Sequence, residues 1–205
     1  MSTSAVSTST VDVSGLPTTT FSHRSIAWWG TVGFMAVEGT TLFIGVVAYF
    51  YVSRNFQTWP PEHTVRPSLL WPTVQVVLLL VSLIPVRLAE RAAYRIDLAK
   101  LRQWLLVALA FELLAVVIRW QEFLSLNVRW DSNAYGSAAW TVVGLHSTLL
   151  LVDLLEGSVL LAVLSSSRRL DRHFSDATDA MVYWYFLVAT WIPIYVMVYL
   201  GPRFM

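Results

Sequence analysis

Five residues able to carry chemistry stand inside the most apolar parts of this sequence. Glu38 interrupts the run from Gly33 to Asn55, Glu112 lies in a second apolar run, and His146, Asp153 and Glu156 lie in a third. A charged side chain in hydrocarbon costs from a few kcal/mol to roughly 10 or more, so such residues turn inward, pair, or face water. Spacings of seven and then three place His146, Asp153 and Glu156 along one stripe of a helix. Three chemistries compete for these groups. They could hydrogen-bond helices to one another or to a partner subunit, they could form a proton or ion pathway, or they could hold a metal or haem. Counting disfavours the third. His23, His63 and His173 fall in the tail and in loops, which leaves His146 as the one histidine inside a span. One histidine cannot supply bis-histidine haem ligation, and a di-metal bundle wants two Glu-x-x-His pairs, of which the sequence has none. With no cysteine, thiolate metal sites, disulfides and Cys-attached haem are excluded as well. Hydrolase, phosphate-loop and dinucleotide motifs are also missing. "SSSRRLDRHF", Ser165 to Phe174, reads as a helix end with a basic anchor. No self-sufficient active site and no metal ligand set is expected in this chain.

The elements that must position these residues follow from hydropathy. The 205 residues are 56% hydrophobic and only 13% charged, with a mean hydropathy of +0.59. Soluble domains run near ~25% charged, so too few charges are present to clothe a globular surface. Five apolar segments, at about 26–52, 69–88, 101–121, 138–163 and 180–200, each meet the ~20 residues a helix needs to cross the hydrocarbon core. Strand-like alternation is absent, so helices must satisfy the backbone. The expected fold is an all-α integral membrane bundle of five helices over 26–205. Residues 1–25, thirteen of them Ser or Thr, read as a disordered tail. No basic n-region or small-residue cleavage pattern marks a signal peptide, so the first span is expected to stay in the mature protein. Nine Lys or Arg fall on the side of the tail and five on the other, which predicts a cytoplasmic N-terminus and a C-terminus outside. The net charge of +1 and the scatter of basic residues along loops carry no nucleic-acid signature. Trp28, Trp29, Trp59, Trp71, Trp130 and Trp140 fall near span ends, where amphipathic rings favour the headgroup zone. Trp184 and Trp191, seven apart, share a face and are expected to pack.

Taken together, these segments resemble subunit III of the haem–copper cytochrome c oxidases. "WWGTVGFMAVEGTTLFIGVVAYFY" (Trp28 to Tyr51) is similar to that family's Trp-Gly, Gly-Phe, Ser-Glu-xxx-Phe-xxx-Ala-Tyr-Phe segment, with Glu38 at its buried glutamate. "RWQEFLSLNVRWDSNAYGSAAWTVVGLHSTLLLVD" (Arg119 to Asp153) resembles its Gln-xx-Glu-Tyr…Gly-Phe-His-Gly-Leu-His stretch, carrying Glu122 and His146. "RHFSDATDAMVYWYFLVATWIPIYVMVYL" (Arg172 to Leu200) resembles the terminal His-Phe…Tyr-Trp-His-Phe segment, carrying His173 and Trp184. Five spans match the short bacterial form; seven-span versions carry two more helices at the N-terminus. The chain also departs from the pattern. Val143 replaces the first histidine of Phe-His-Gly-Leu-His, Tyr185 the histidine of Trp-His-Phe, Val188 the aspartate after it, and Arg119 the glutamine of Gln-xx-Glu. Glu112, Asp153 and Glu156 have no assignable counterpart.

The resemblance implies a non-redox accessory subunit in a bacterial inner (plasma) membrane. Haem and copper would reside in partner subunits, with oxidase catalytic subunit I and subunit II as neighbours, within a larger respiratory supercomplex. It further implies bound phospholipid, protection of the oxidase during turnover, and support of proton uptake, with Glu38 a buried protonated carboxyl. For lipid, Trp59, His63 and Arg66 are expected at the outer headgroup level and Arg87, Arg91 and Arg95 at the inner one, since Arg pairs with phosphate bidentately and juxtamembrane basic clusters attract anionic headgroups. Two other functions stay open: the related accessory protein of nitric oxide reductases, and an ion-coupled carrier using Glu38, Glu112, Asp153 and Glu156 as a relay. Five unequal spans without internal similarity speak against the carrier.

Overall fold

The structure, a computed structural model, describes residues 20–166 and 173–204. Five helices, α1 (Ile26–Ser53), α2 (Leu70–Tyr94), α3 (Leu98–Ser125), α4 (Ala134–Ser166) and α5 (His173–Tyr195), account for nearly all of it, and no strand occurs among the described residues. The last helix runs on through a π turn, Val196–Leu200, and a 3-10 turn, Gly201–Arg203. All five are long and apolar enough to cross a membrane, which makes this a multi-pass membrane protein. Of the tail expected over 1–25, residues 1–19 lie outside the described residues. Ser22–Arg24 form a 3-10 turn, with Phe21 packed on Tyr94 and the Thr20 carbonyl accepting from Ser175 Oγ at 2.8 Å.

Most of the helices outrun the apolar segments, because polar end turns such as those with Arg91 and Asp176 stay helical. α5 starts at His173, well before the expected 180, and α2 runs past the expected 88. Arg87 and Arg91, expected at the inner headgroup level, both lie on the helix, which continues to Tyr94. The turn to α3 is short. Ile96 takes the left-handed conformation at φ 55°, the Asp97 N–H returns to the Ala92 carbonyl, and Asp97 caps α3 by accepting from the Lys100 N–H at 3.1 Å. At α4 the Asn133 Oδ1 accepts from the Gly136 N–H at 2.8 Å. Gly136 is required there, because a Cβ would run into the Arg129 carbonyl oxygen.

The termini of α1 and α3 that begin each helix, the α2–α3 turn and the start of α5 share one side, called here the tail side. The 54–69 loop, the 126–133 loop and the C-terminus share the far side. Helices α2 and α3 pair as a hairpin, α4 and α5 pack against them and each other, and α1 rests only on α4 and α5. Accordingly α1 buries just Leu42, Tyr49 and Ser53, leaving the rest of its surface to lipid or a partner.

Trp59 departs from expectation. Instead of meeting headgroups it is buried, in edge contact with Tyr49 (5.4 Å) and Tyr135 (5.2 Å). The 54–69 loop folds over the bundle end and is tied there: the Ser68 N–H donates to the Ser125 carbonyl at 2.8 Å, and Arg203 Nη2 donates to the Pro67 carbonyl at 2.8 Å. That folding carries the ring inward.

Candidate functional site

Counting along the helices puts the intramembrane acids at one depth. Glu38, Glu112, Asp153 and Glu156 lie ten to fourteen residues from the tail-side ends of α1, α3 and α4, or roughly 15–21 Å at 1.5 Å per residue. Glu38 is half-buried and accepts a 2.6 Å hydrogen bond from the Tyr183 hydroxyl of α5. Close packing of α1 on α5 allows it: Gly39 faces the Phe186 ring, and Phe34 stacks on Tyr183. Glu112 of α3 and Asp153 of α4 are buried and line the same small cavity between the helices. Glu156 does not join the stripe expected for it. Three residues turn a helix by about 300°, a net 60° back, which sets Glu156 beside Asp153 but past the edge of the face that buries Leu150, Asp153 and Gly157, and Glu156 is exposed.

His146 belongs to a second cluster, nearer the far side. Arg119 Nη1 donates to Glu122 Oε2 at 2.6 Å, and Arg119 Nη2 lies 3.2 Å from His146 Nδ1. The other ring nitrogen, Nε2, lies 3.0 Å from the Leu187 carbonyl oxygen. A carbonyl can only accept, so Nε2 carries the proton and Nδ1 accepts from Arg119. The Arg119 guanidinium sits 3.8 Å from the Trp191 ring centroid, and all four side chains are buried. Both nitrogens of His146 are thereby committed to the chain itself. The residue that replaced a motif glutamine turns out to organise three helices.

The remaining motif residues are dispersed. Trp184 is buried, its Nε1 donating to Ser82 Oγ at 2.9 Å. His173 pairs with Asp176 at 2.9 Å at the start of α5. Sequence reasoning missed Glu90, which accepts from Arg87 Nη1 at 2.6 Å and from the Tyr185 hydroxyl at 2.9 Å. Arg87 and Glu90 at i and i+3 were the available signal. It also missed Tyr183, and Arg119 as the partner of Glu122 at the same spacing. Of the residues expected at lipid, His63, Arg66, Arg87, Arg91 and Arg95 are exposed. His63 lines an open pocket of about 460 Å³ on the far side, with Asn127, Arg129, Asn133 and Trp140. Phe123 also lines an apolar groove of about 190 Å³ between α3 and α4, walled by Val116, Trp120 and Leu151.

The comparisons with known proteins agree with one another. The family model described as cytochrome c oxidase subunit III matches residues 11–202. The chain is 27% identical to the cytochrome c oxidase subunit 3 of Synechocystis over 184 residues, 87% of this chain and 77% of the relative. It is 25% identical to that of Thermostichus vulcanus over 187 residues, 89% of this chain and 90% of the relative. With a match running through all five helices and both side-chain clusters, this chain belongs to the cytochrome c oxidase subunit III family.

Proposed function

We propose that this chain is the non-redox accessory subunit of a bacterial aerobic cytochrome c oxidase, stabilising the catalytic subunit, binding phospholipid and supporting proton uptake during oxygen reduction. The family match over residues 11–202 carries the proposal. Membership places the chain in a complex with other oxidase subunits. In this reading those are catalytic subunit I and subunit II, which hold the haem and copper, in the inner membrane and within a larger respiratory assembly. The commitment of both His146 nitrogens to Arg119 and Leu187 supports a role without haem in this chain. The buried position of Arg119 supports a cytoplasmic N-terminus, since it removes one residue from the smaller of the two basic counts.

Two surfaces support docking and lipid. Glu156 is exposed at membrane depth, where a carboxylate facing acyl chains is costly, so the α1–α4 face turns toward a partner subunit or water. The His63 pocket, with Asn127, Arg129 and Asn133, and the apolar groove between α3 and α4 share Phe123 in their walls, which supports a lipid with its headgroup in the first and an acyl chain in the second. Extraction of the tagged chain in mild detergent, followed by an absorption spectrum and copper assay, tests the assignment. Haem and copper co-purifying together support the oxidase. Haem without copper would point to the nitric oxide reductase accessory role, and neither would point to the carrier.

A further inference from the structure

We propose that Glu112 and Asp153 share one exchangeable proton beside a water-sized cavity in the middle of the bundle, and that Glu156 is the group through which this proton reaches the surface of the chain. The two residues come from α3 and α4, are each 5% exposed, and turn their carboxyls to one shared cavity. Both line a cavity of about 20 Å³ walled by Val86, Leu109, Met181 and Trp184; a site needs about 10–15 Å³ to hold one water. Glu112 Oε1 is buried with no partner among the described residues, which leaves a polar atom for that water to satisfy. Gly157 keeps the room open. A Cβ there would stand 2.8 Å from Leu109 Cδ2 and 3.8 Å from Glu112 Oε2.

The charged groups nearest the pair are Glu156 of α4 and Glu38 of α1, and among the described residues no cation lines the cavity. Two buried carboxylates sharing one small cavity without a cation cannot both stay ionised. One proton between them forms a hydrogen bond from an acid to a carboxylate, which is stronger than one between neutral groups. The pair then carries a single negative charge. Uptake of a second proton makes both carboxyls neutral, its release restores the shared state, and no bond to carbon changes. Glu156, three residues along α4 from Asp153 and exposed, is the next carboxyl toward the outside of the chain.

The inference deepens the proton-uptake part of the proposed function and rests on it for its purpose. Its test reads the pair itself, whereas the haem and copper assay above reads only the assignment. Infrared spectra of the purified complex carrying Glu38→Gln, which removes the separate protonated carboxyl at Glu38, should show in H2O and D2O a protonated-carboxyl band that shifts in D2O. Glu112→Gln and Asp153→Asn should each abolish the same band, because either change leaves a lone carboxylate accepting from an amide. Glu156→Gln should keep the band and slow its exchange severalfold. A band that survives either single variant would overturn the shared proton. Unchanged exchange in Glu156→Gln would overturn the route, and a band that disappears on adding sodium would mark a cation site instead. Should Asp153→Asn fail to assemble, Glu112→Gln decides.

Discussion

Replacing Arg119 by Met should destabilise this subunit more than any other single change of similar volume. In the folded chain Arg119 pairs with Glu122 at 2.6 Å, donates to His146 Nδ1 at 3.2 Å and covers the Trp191 ring. Arg119→Met leaves the Glu122 carboxylate buried without compensation, a loss of about 3–5 kcal/mol. It also strips the donor from His146, about 1–3 kcal/mol, and removes a desolvated cation–π contact of about 0.5–2 kcal/mol. These losses overlap, because one relaxation relieves several of them, so a net effect on the order of 3–5 kcal/mol is expected. Adding Glu122→Leu should recover most of it, since a buried ion pair exchanged for packed apolar groups is roughly neutral. The assay is denaturant-driven release of the subunit from the purified complex. If Arg119→Met released at the wild-type midpoint, or the double variant lost as much as the two single changes summed, the central role given to this pair would be refuted.

Glu38→Gln should still assemble, because Gln keeps the size and accepts from the Tyr183 hydroxyl, and a hydrophobic carbodiimide, which reacts with protonated buried carboxyls, should label Glu38 in the wild type and nothing at that position in the variant. Gly136→Ala should cost about 1–3 kcal/mol through the forced contact with the Arg129 carbonyl, measured as a lower release midpoint. Ile96→Asn should stabilise the α2–α3 turn by up to about 1 kcal/mol, since Asn tolerates the left-handed region better than a β-branched side chain. At the cap of α3, the Lys100 side chain and N–H hold the Asp97 carboxyl below its usual range. Its stabilisation is therefore present above the ordinary carboxylate pKa and lost as pH falls through the lowered one, so Asp97→Ala should be destabilising at neutral pH and indistinguishable from wild type in strong acid. Native mass spectrometry should find phospholipid retained by the complex, and less of it after His63→Ala with Asn133→Ala.

How much was legible divides along one line. The five spans were, because apolar length is a local property: α1 was read as 26–52 and runs Ile26–Ser53. The end turns were not, because Arg87, Glu90 and Arg91 carry α2 onward in residues that hydropathy counts as loop. Trp184 and Trp191 at i and i+7 were expected to pack, and both are buried. Partnerships between helices left little trace. Arg119 and Glu122 at i, i+3 could have been paired from sequence, but His146 and Trp191 meet Arg119 only because α3, α4 and α5 converge. Trp59 misled because the rule for aromatic belts concerns depth, and a loop folded over the bundle end moves a ring inward at the same depth. Glu156 misled because a stripe read at spacings of seven and three tolerates more rotation than an interface does.

The most direct test of the accessory assignment is removal of this chain from the purified oxidase, followed by haem quantitation and a turnover time course. The account predicts full haem content and substantial initial electron transfer, with activity that decays faster during turnover than in the intact complex. Loss of a haem in proportion to the subunit removed, or haem binding by the isolated chain, would contradict it.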